Sequence, residues 1–149
     1  MAQFLLDTNI LLRSSDAGSD KQVLARSSIE SVIAQGHTCF LTSQIIGEYY
    51  SVVTRPISSN GFGWNSERGR FERDLWVSRF LFLEETSEVF LRWIDLIDRF
   101  EVTGRRIFDI RLLAVMQVYR ISHLLTFDSD DFPELPEITI THPSQIISI

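Results

Sequence analysis

The sequence predicts an α/β domain in which a parallel sheet of four to five strands carries helices on both faces. Three observations lead there. Short strand-like runs alternate with helical segments along the chain. The strand-like runs are apolar throughout, as expected of strands covered on both sides. Finally, 149 residues is the length of one ordinary domain, and no repeat or low-complexity tract divides it.

Gln3 to Leu6 is an apolar run stopped by Asp7 and reads as a buried strand, with a short helix beginning near Thr8. Asp20 to Gln35 has helical spacing, with Asp20 as a cap and Gly36 as a stop. Thr38 to Leu41 is a second strand. Ser43 to Arg55 is a helix capped by Ser43 and closed by Pro56. Residues 57 to 66 are a loop by composition. Glu67 to Phe82 reads as helix and Phe82 to Thr86 as a third strand. Ser87 to Phe100 places apolar residues at 89, 90, 93, 94, 97 and 100, a helical stripe expected to face the core; Gly104 ends it. Asp109 to Arg120 is a buried helix, apolar nearly all round. His123 to Thr126 and Ile138 to Ile140 are the last strands.

Composition excludes several classes. Cys39 is the only cysteine, so internal disulfides and cysteine-based zinc clusters are ruled out. No apolar stretch approaches the ~18–20 residues that span a bilayer. The opening MAQFLLDTN lacks a basic region and meets Asp7 after three apolar residues, so no signal peptide is expected. A cytoplasmic protein with no membrane association is the resulting expectation. Thirteen of the 14 basic residues are arginine, Lys21 being the one lysine, and the net charge is -6. A general basic nucleic-acid footprint is therefore absent.

Acids, by contrast, gather at the carboxyl ends of the strands, where α/β sheets bind ligands. Asp7 ends the first strand. Glu48 lies on the helix after the second, on or beside its apolar face. Asp109 opens the buried helix that feeds the fourth strand. Asp128, Asp130 and Asp131 follow that strand directly. Each alone has an ordinary explanation, the aspartates as helix caps or turn residues and Glu48 as the partner of a nearby arginine. Together they form a cluster of like charges, which takes up protons unless compensated. Hard divalent ions such as Mg²⁺ or Mn²⁺ provide that compensation, and such a site suits phosphodiester hydrolysis.

At these residues the sequence resembles the PIN-domain ribonucleases, and most closely the VapC-type toxins of toxin–antitoxin pairs. The matching elements are LLDTNILL at 5–12, TSQIIGEYYSVVTRP at 42–56, FDIRLLAV at 108–115 and LLTFDSDDF at 124–132. The resemblance implies a Rossmann-like fold and metal ligation by Asp7, Glu48 and Asp109, with Asp128 at the more variable fourth position. Asp131 is an additional acid. Thr8, Asn9, Ser43 and Thr126 fall beside these motifs as candidates to orient water or phosphate. The resemblance further implies an RNA substrate, a cognate antitoxin protein and a homodimer.

Arginines supply the remaining phosphate contacts, with Arg13, Arg55, Arg105 and Arg106 nearest the acids in sequence. Arg68, Arg70, Arg73 and Arg79 interleave with Trp64, Phe71, Trp76 and Phe80, a pattern that stacks bases, forms a solvated helix face or docks a protein. The histidines lack metal-ligand spacing, and Trp93 and Cys39 read as core. Two rival functions stand beside the nuclease. A phosphotransfer protein needs a lysine near the last strands, and the dehalogenase kind needs an acid where Asn9 stands; the chain has neither. A catalytically silent PIN-fold module that binds RNA or protein has no such obstacle.

Overall fold

The computed structural model describes residues 1–147. Five strands, β1 (Gln3–Leu6), β2 (Thr38–Thr42), β3 (Leu81–Leu83), β4 (His123–Leu125) and β5 (Thr139–Thr141), form one sheet in the order β3-β2-β1-β4-β5. All neighbouring pairs are parallel, with Leu5 opposite Phe40 on one side and Leu124 on the other. The helices are α1 (Thr8–Ser15), α2 (Gln22–Ala34), α3 (Ser43–Thr54), α4 (Ser66–Arg79), α5 (Ser87–Phe100), α6 (Arg106–Tyr119) and α7 (Pro143–Ile147). Short 3₁₀ turns occupy Ile57–Ser59 and Ser129–Asp131.

Right-handed crossovers fix the layers. The connections β1–β2 and β2–β3 step the same way across the sheet, so α1 to α4 share one face, where α7 packs on α2. The connection β3–β4 steps back, which places α5 and α6 on the opposite face, packed on each other. The chain leaves β1 in one direction and reaches β4 from the other. The carboxyl ends of β1 and β4 therefore flank the crevice of a topological switch point. Between the layers, Leu5, Leu6, Leu41, Tyr49, Leu113 and Met116 are essentially fully buried. No described helix is long and apolar enough to cross a membrane.

Several boundaries differ from expectation, each for a local reason. Asp20 does not cap α2; Lys21 holds the cap position with no side-chain bond. Thr42, not Ser43, caps α3, its hydroxyl accepting from the Ile45 N–H at 3.4 Å. Helix α4 stops at Arg79 and β3 occupies Leu81–Leu83 rather than 82–86, because Thr86 is taken as the cap of α5. The last strand starts one residue late, since Ile138 bridges Leu135 instead. Gly104, at φ +65°, does not terminate α5, which ends at Phe100 with Glu101 as its cap; it lies in the joint before α6. The stripe on α5 is only half covered. Val89 and Leu96 are buried and Trp93 is half-buried against α6, but Phe90 and Ile94 are exposed.

Candidate active site

Asp7 leaves β1 in extended conformation and caps α1, its Oδ1 accepting from the Thr8 N–H at 2.7 Å. Its Oδ2 accepts from the Thr126 hydroxyl at 2.8 Å and, more weakly, from Asn9 Nδ2 at 3.4 Å. The Thr126 hydroxyl also accepts from Asn9 Nδ2 at 3.1 Å and from the Asp128 N–H at 3.0 Å, so its bonding capacity is filled. Asn9 completes the joint. It donates to Asp128 Oδ2 at 3.1 Å and accepts from the Phe127 N–H at 3.1 Å. Residues from the first and last motifs are thus tied into one network across β1 and β4.

Glu48 lies off the buried stripe of α3 formed by Ile45, Tyr49 and Val53, and it is exposed, contrary to its expected place on or beside the apolar face. Its carboxylate nonetheless turns toward Asp7's helix, with Oε1 accepting from the Thr8 hydroxyl at 3.1 Å. Asp109 sits in the first turn of α6 rather than capping it, because the helix begins three residues earlier at Arg106. In that turn, free N–H groups and the helix dipole favour negative charge.

The acids feel one another. Burial pushes the Asp7 carboxyl up to about 7; Thr126 and Thr8 oppose this by hydrogen bonding, and Asp109 and Glu48 add repulsion. Burial also pushes Asp109 up to about 6, reinforced by Glu48, Asp131 and Asp128 and opposed by Arg106. These are groups whose ionised forms lack compensation. The donor set is all oxygen, which suits a hard divalent cation in chemistry and charge. Among the described residues, however, no three acidic, His or Cys side chains are arranged to hold an ion. Asp7 and Glu48 are bonded to hydroxyl and amide donors.

The arginines divide. Arg106 lies beside the acids, donating to the Asp131 carbonyl at 2.9 Å and pairing with its carboxylate at 3.7 Å. Arg105 is exposed at the cap position of α6. Arg13, four residues along α1 from Asn9, lines a separate 640 Å³ cleft with Asp16, Phe62, Trp64 and Arg68. Arg55 is not at the acids. It stands seven residues beyond Glu48, about 10 Å along the helix axis, and its Nε is buried without a partner. Ser43 is exposed at the first position of α3. Of the interleaved aromatics, Trp76 is buried and stacked on Phe80, Arg68 covers one face of Trp64 at 4.0 Å, and Phe71 is exposed. Cys39 is buried and its thiol is pushed up to about 12 by burial, which makes it inert.

One site residue escaped the sequence reading. Gln44 Nε2 donates to Glu48 Oε1 at 3.2 Å and to the Phe108 carbonyl at 2.8 Å. The signal was a polar residue one helical turn before Glu48 on the same face.

A family model for the PIN domain matches residues 4–138. No curated protein matches the chain in sequence. Similar solved structures include VapBC2 from Rickettsia felis bound to a DNA fragment from its promoter, with TM-score 0.72, 16% identity and coverage of 94% of this chain and 98% of that one. VapC20 from Mycobacterium tuberculosis, a toxin that cleaves the sarcin–ricin loop, gives 0.65 at 14% identity, covering 86% and 92%. A toxin–antitoxin complex from Klebsiella pneumoniae gives 0.64 at 21% identity, covering 96% and 98%.

Proposed function

Because the chain belongs to the PIN domain family, we propose that it is a Mg²⁺- or Mn²⁺-dependent endoribonuclease and the VapC-type toxin of a type II toxin–antitoxin pair. The observation that carries this is the electrostatic coupling of Asp7, Glu48, Asp109 and Asp128 at the switch point of the sheet.

Asp7, Glu48, Asp109 and Asp128 would hold the ion. When bound, it supplies a water of lowered pKa and neutralises charge on the phosphate oxygens. The chain's own groups do the rest. Thr126 and the Thr8 N–H hold the Asp7 carboxylate in one orientation. Asn9 holds the loop that carries Asp128. Arg106 stands beside Asp131 and can meet substrate phosphates by exchanging its contact with that acid, and the exposed Arg105 precedes it at the start of α6. RNA is the proposed substrate, and the toxin cleaving the sarcin–ricin loop is a structural relative consistent with it.

Asp109→Asn tests the reading. It is expected to abolish Mn²⁺-dependent cleavage of RNA while leaving the far-ultraviolet circular dichroism spectrum unchanged; a fully active variant rejects the assignment. One observation favours the alternative of a silent PIN-fold module, namely that no three described acids are arranged to hold an ion. Tight RNA binding in EDTA, with no turnover after Mn²⁺ is added, would establish that alternative.

Two protein partners belong to the proposal. A cognate antitoxin follows from the toxin reading, and the structural relatives include toxin–antitoxin complexes. A second copy of the chain is favoured by the uncovered flank of α5. There Phe90 (55% exposed), Leu91 (67%) and Ile94 (40%) lie together one turn apart or less, and Phe108 (44%) joins them through the Trp93 ring. Their exposed area is roughly 400 Å², about half of what each partner of a standard interface buries. Leu91→Asp is expected to convert a dimer to a monomer in sedimentation; a wild-type monomer at high concentration would remove the homodimer.

A further inference from the structure

We propose that Gln44 is a positioning residue: its amide ties Glu48 on α3 to the first turn of α6 and so sets where the Glu48 carboxylate stands relative to Asp109. The inference rests on the nuclease reading of the same cleft.

The two acceptors on Gln44 Nε2 are the Glu48 carboxylate, at 3.2 Å, and the carbonyl of Phe108, the residue before Asp109, at 2.8 Å. An amide nitrogen carries two hydrogens, so one group serves both. Turning the amide over would set its oxygen against two other oxygens, so the acceptors themselves decide which end faces the cleft. Gln44 Oε1 is consequently buried with no hydrogen-bond partner. A bare buried amide oxygen works against stability. Methionine, of similar length, would remove that loss. The glutamine is poor as packing, and what explains it is the pair of groups its nitrogen holds.

The hold on Glu48 is asymmetric. Oε1 is gripped from α1 by the Thr8 hydroxyl at 3.1 Å and from α3 by Gln44. Among the described residues no protein donor bonds to Oε2, which is left for a ligand. Glu48 is exposed and its side chain is long, so it loses much rotamer freedom in being held. Removing the amide leaves one tether and cuts the link to α6.

The test uses the full chain with Gln44→Met, which removes the donor, and Gln44→Asn, one methylene too short to reach both acceptors. Mn²⁺ binding is measured by electron paramagnetic resonance without RNA, cleavage on the same samples, and melting temperature alongside. The Met variant is expected to melt at or above the wild-type temperature. In both variants, Mn²⁺ affinity and kcat should fall at least about tenfold, the usual effect of losing a group that orients a ligand, with KM for RNA little changed. Wild-type Mn²⁺ affinity and kcat in both variants overturns the proposal; if one fails to fold, the other decides. A wild-type chain that neither binds Mn²⁺ nor cleaves RNA sinks the nuclease reading instead. In that case the crystal structure of the Met variant decides, and an unmoved Glu48 side chain overturns the role given to Gln44.

Discussion

Replacing Asp7 by asparagine should make the protein more stable at alkaline pH while removing its activity. Asp7 is 8% exposed, and its carboxyl is pushed from 3.8 up to about 7, chiefly by burial. The folded state therefore binds this proton more tightly than the unfolded state. A raised acid contributes fully below the unfolded value, and the contribution drains away as pH rises toward about 7. From pH 5 to pH 8 the loss is about 3 kcal/mol, at ~1.4 kcal/mol per pH unit up to the folded value. Asparagine carries no charge and escapes that loss. It does place an NH₂ where Oδ2 accepts from Thr126 and Asn9, which costs about 1–2 kcal/mol at every pH. That cost is the same at both pH values, so it cancels in the change of the variant-minus-wild-type difference from pH 5 to pH 8. Thermal melts in EDTA should show Asp7→Asn gaining roughly 6–12 °C on the wild type between pH 5 and pH 8. Asp109, pushed up to about 6, changes both proteins in the same direction. Parallel melting curves for the two proteins across that range would refute the claim that a buried, uncompensated carboxylate sits at the end of β1.

Asn9→Ala removes the contacts to Thr126, Asp128 and the Phe127 N–H, and should cost about 2 kcal/mol in urea unfolding, with cleavage lost in parallel. Stability unchanged within experimental error would show that the network is ornamental. Gly61→Ala would place a Cβ 2.0 Å from the Arg55 carbonyl oxygen, so the loop after α3 must shift; about 1–3 kcal/mol is expected in the same assay, with no direct effect on the acids.

Much of the fold was legible because apolar runs and helical spacing report burial directly. The run Gln3–Leu6 became β1 with its bounds unchanged; three more strands came within one residue of expectation, and β3 ends three residues early. Asp7 and Asp128 were also legible, since the ends of parallel strands gather at one edge whatever the loops do, while Thr8, Asn9 and Thr126 were picked out by the family resemblance alone. Periodicity stopped being informative where another element decides the outcome. The stripe on α5 reads as wholly core-facing, yet α6 covers only part of it and Phe90 is left in solvent. Glu48 lies beside apolar neighbours in sequence but reaches solvent, because the buried stripe of α3 runs through Ile45, Tyr49 and Val53. Arg55 looked close to the acids because it belongs to the same motif; the straight run of α3 carries it away. Gln44 could be seen as a neighbour of Glu48 but not as a bridge, since its second acceptor is a backbone carbonyl 64 residues later.

The pairing of β1 with β4 also bears on how the protein is made. The middle strand of the sheet is synthesised first, and its second neighbour arrives only when residues 123–125 follow. Until then Phe4, Leu5 and Leu6 have an open edge on one side, the kind of surface that invites misassociation on the ribosome. Asp7 and Asn9 meanwhile lack Thr126 and Asp128, so a nascent or prematurely terminated chain cannot close the network that joins the two strand ends.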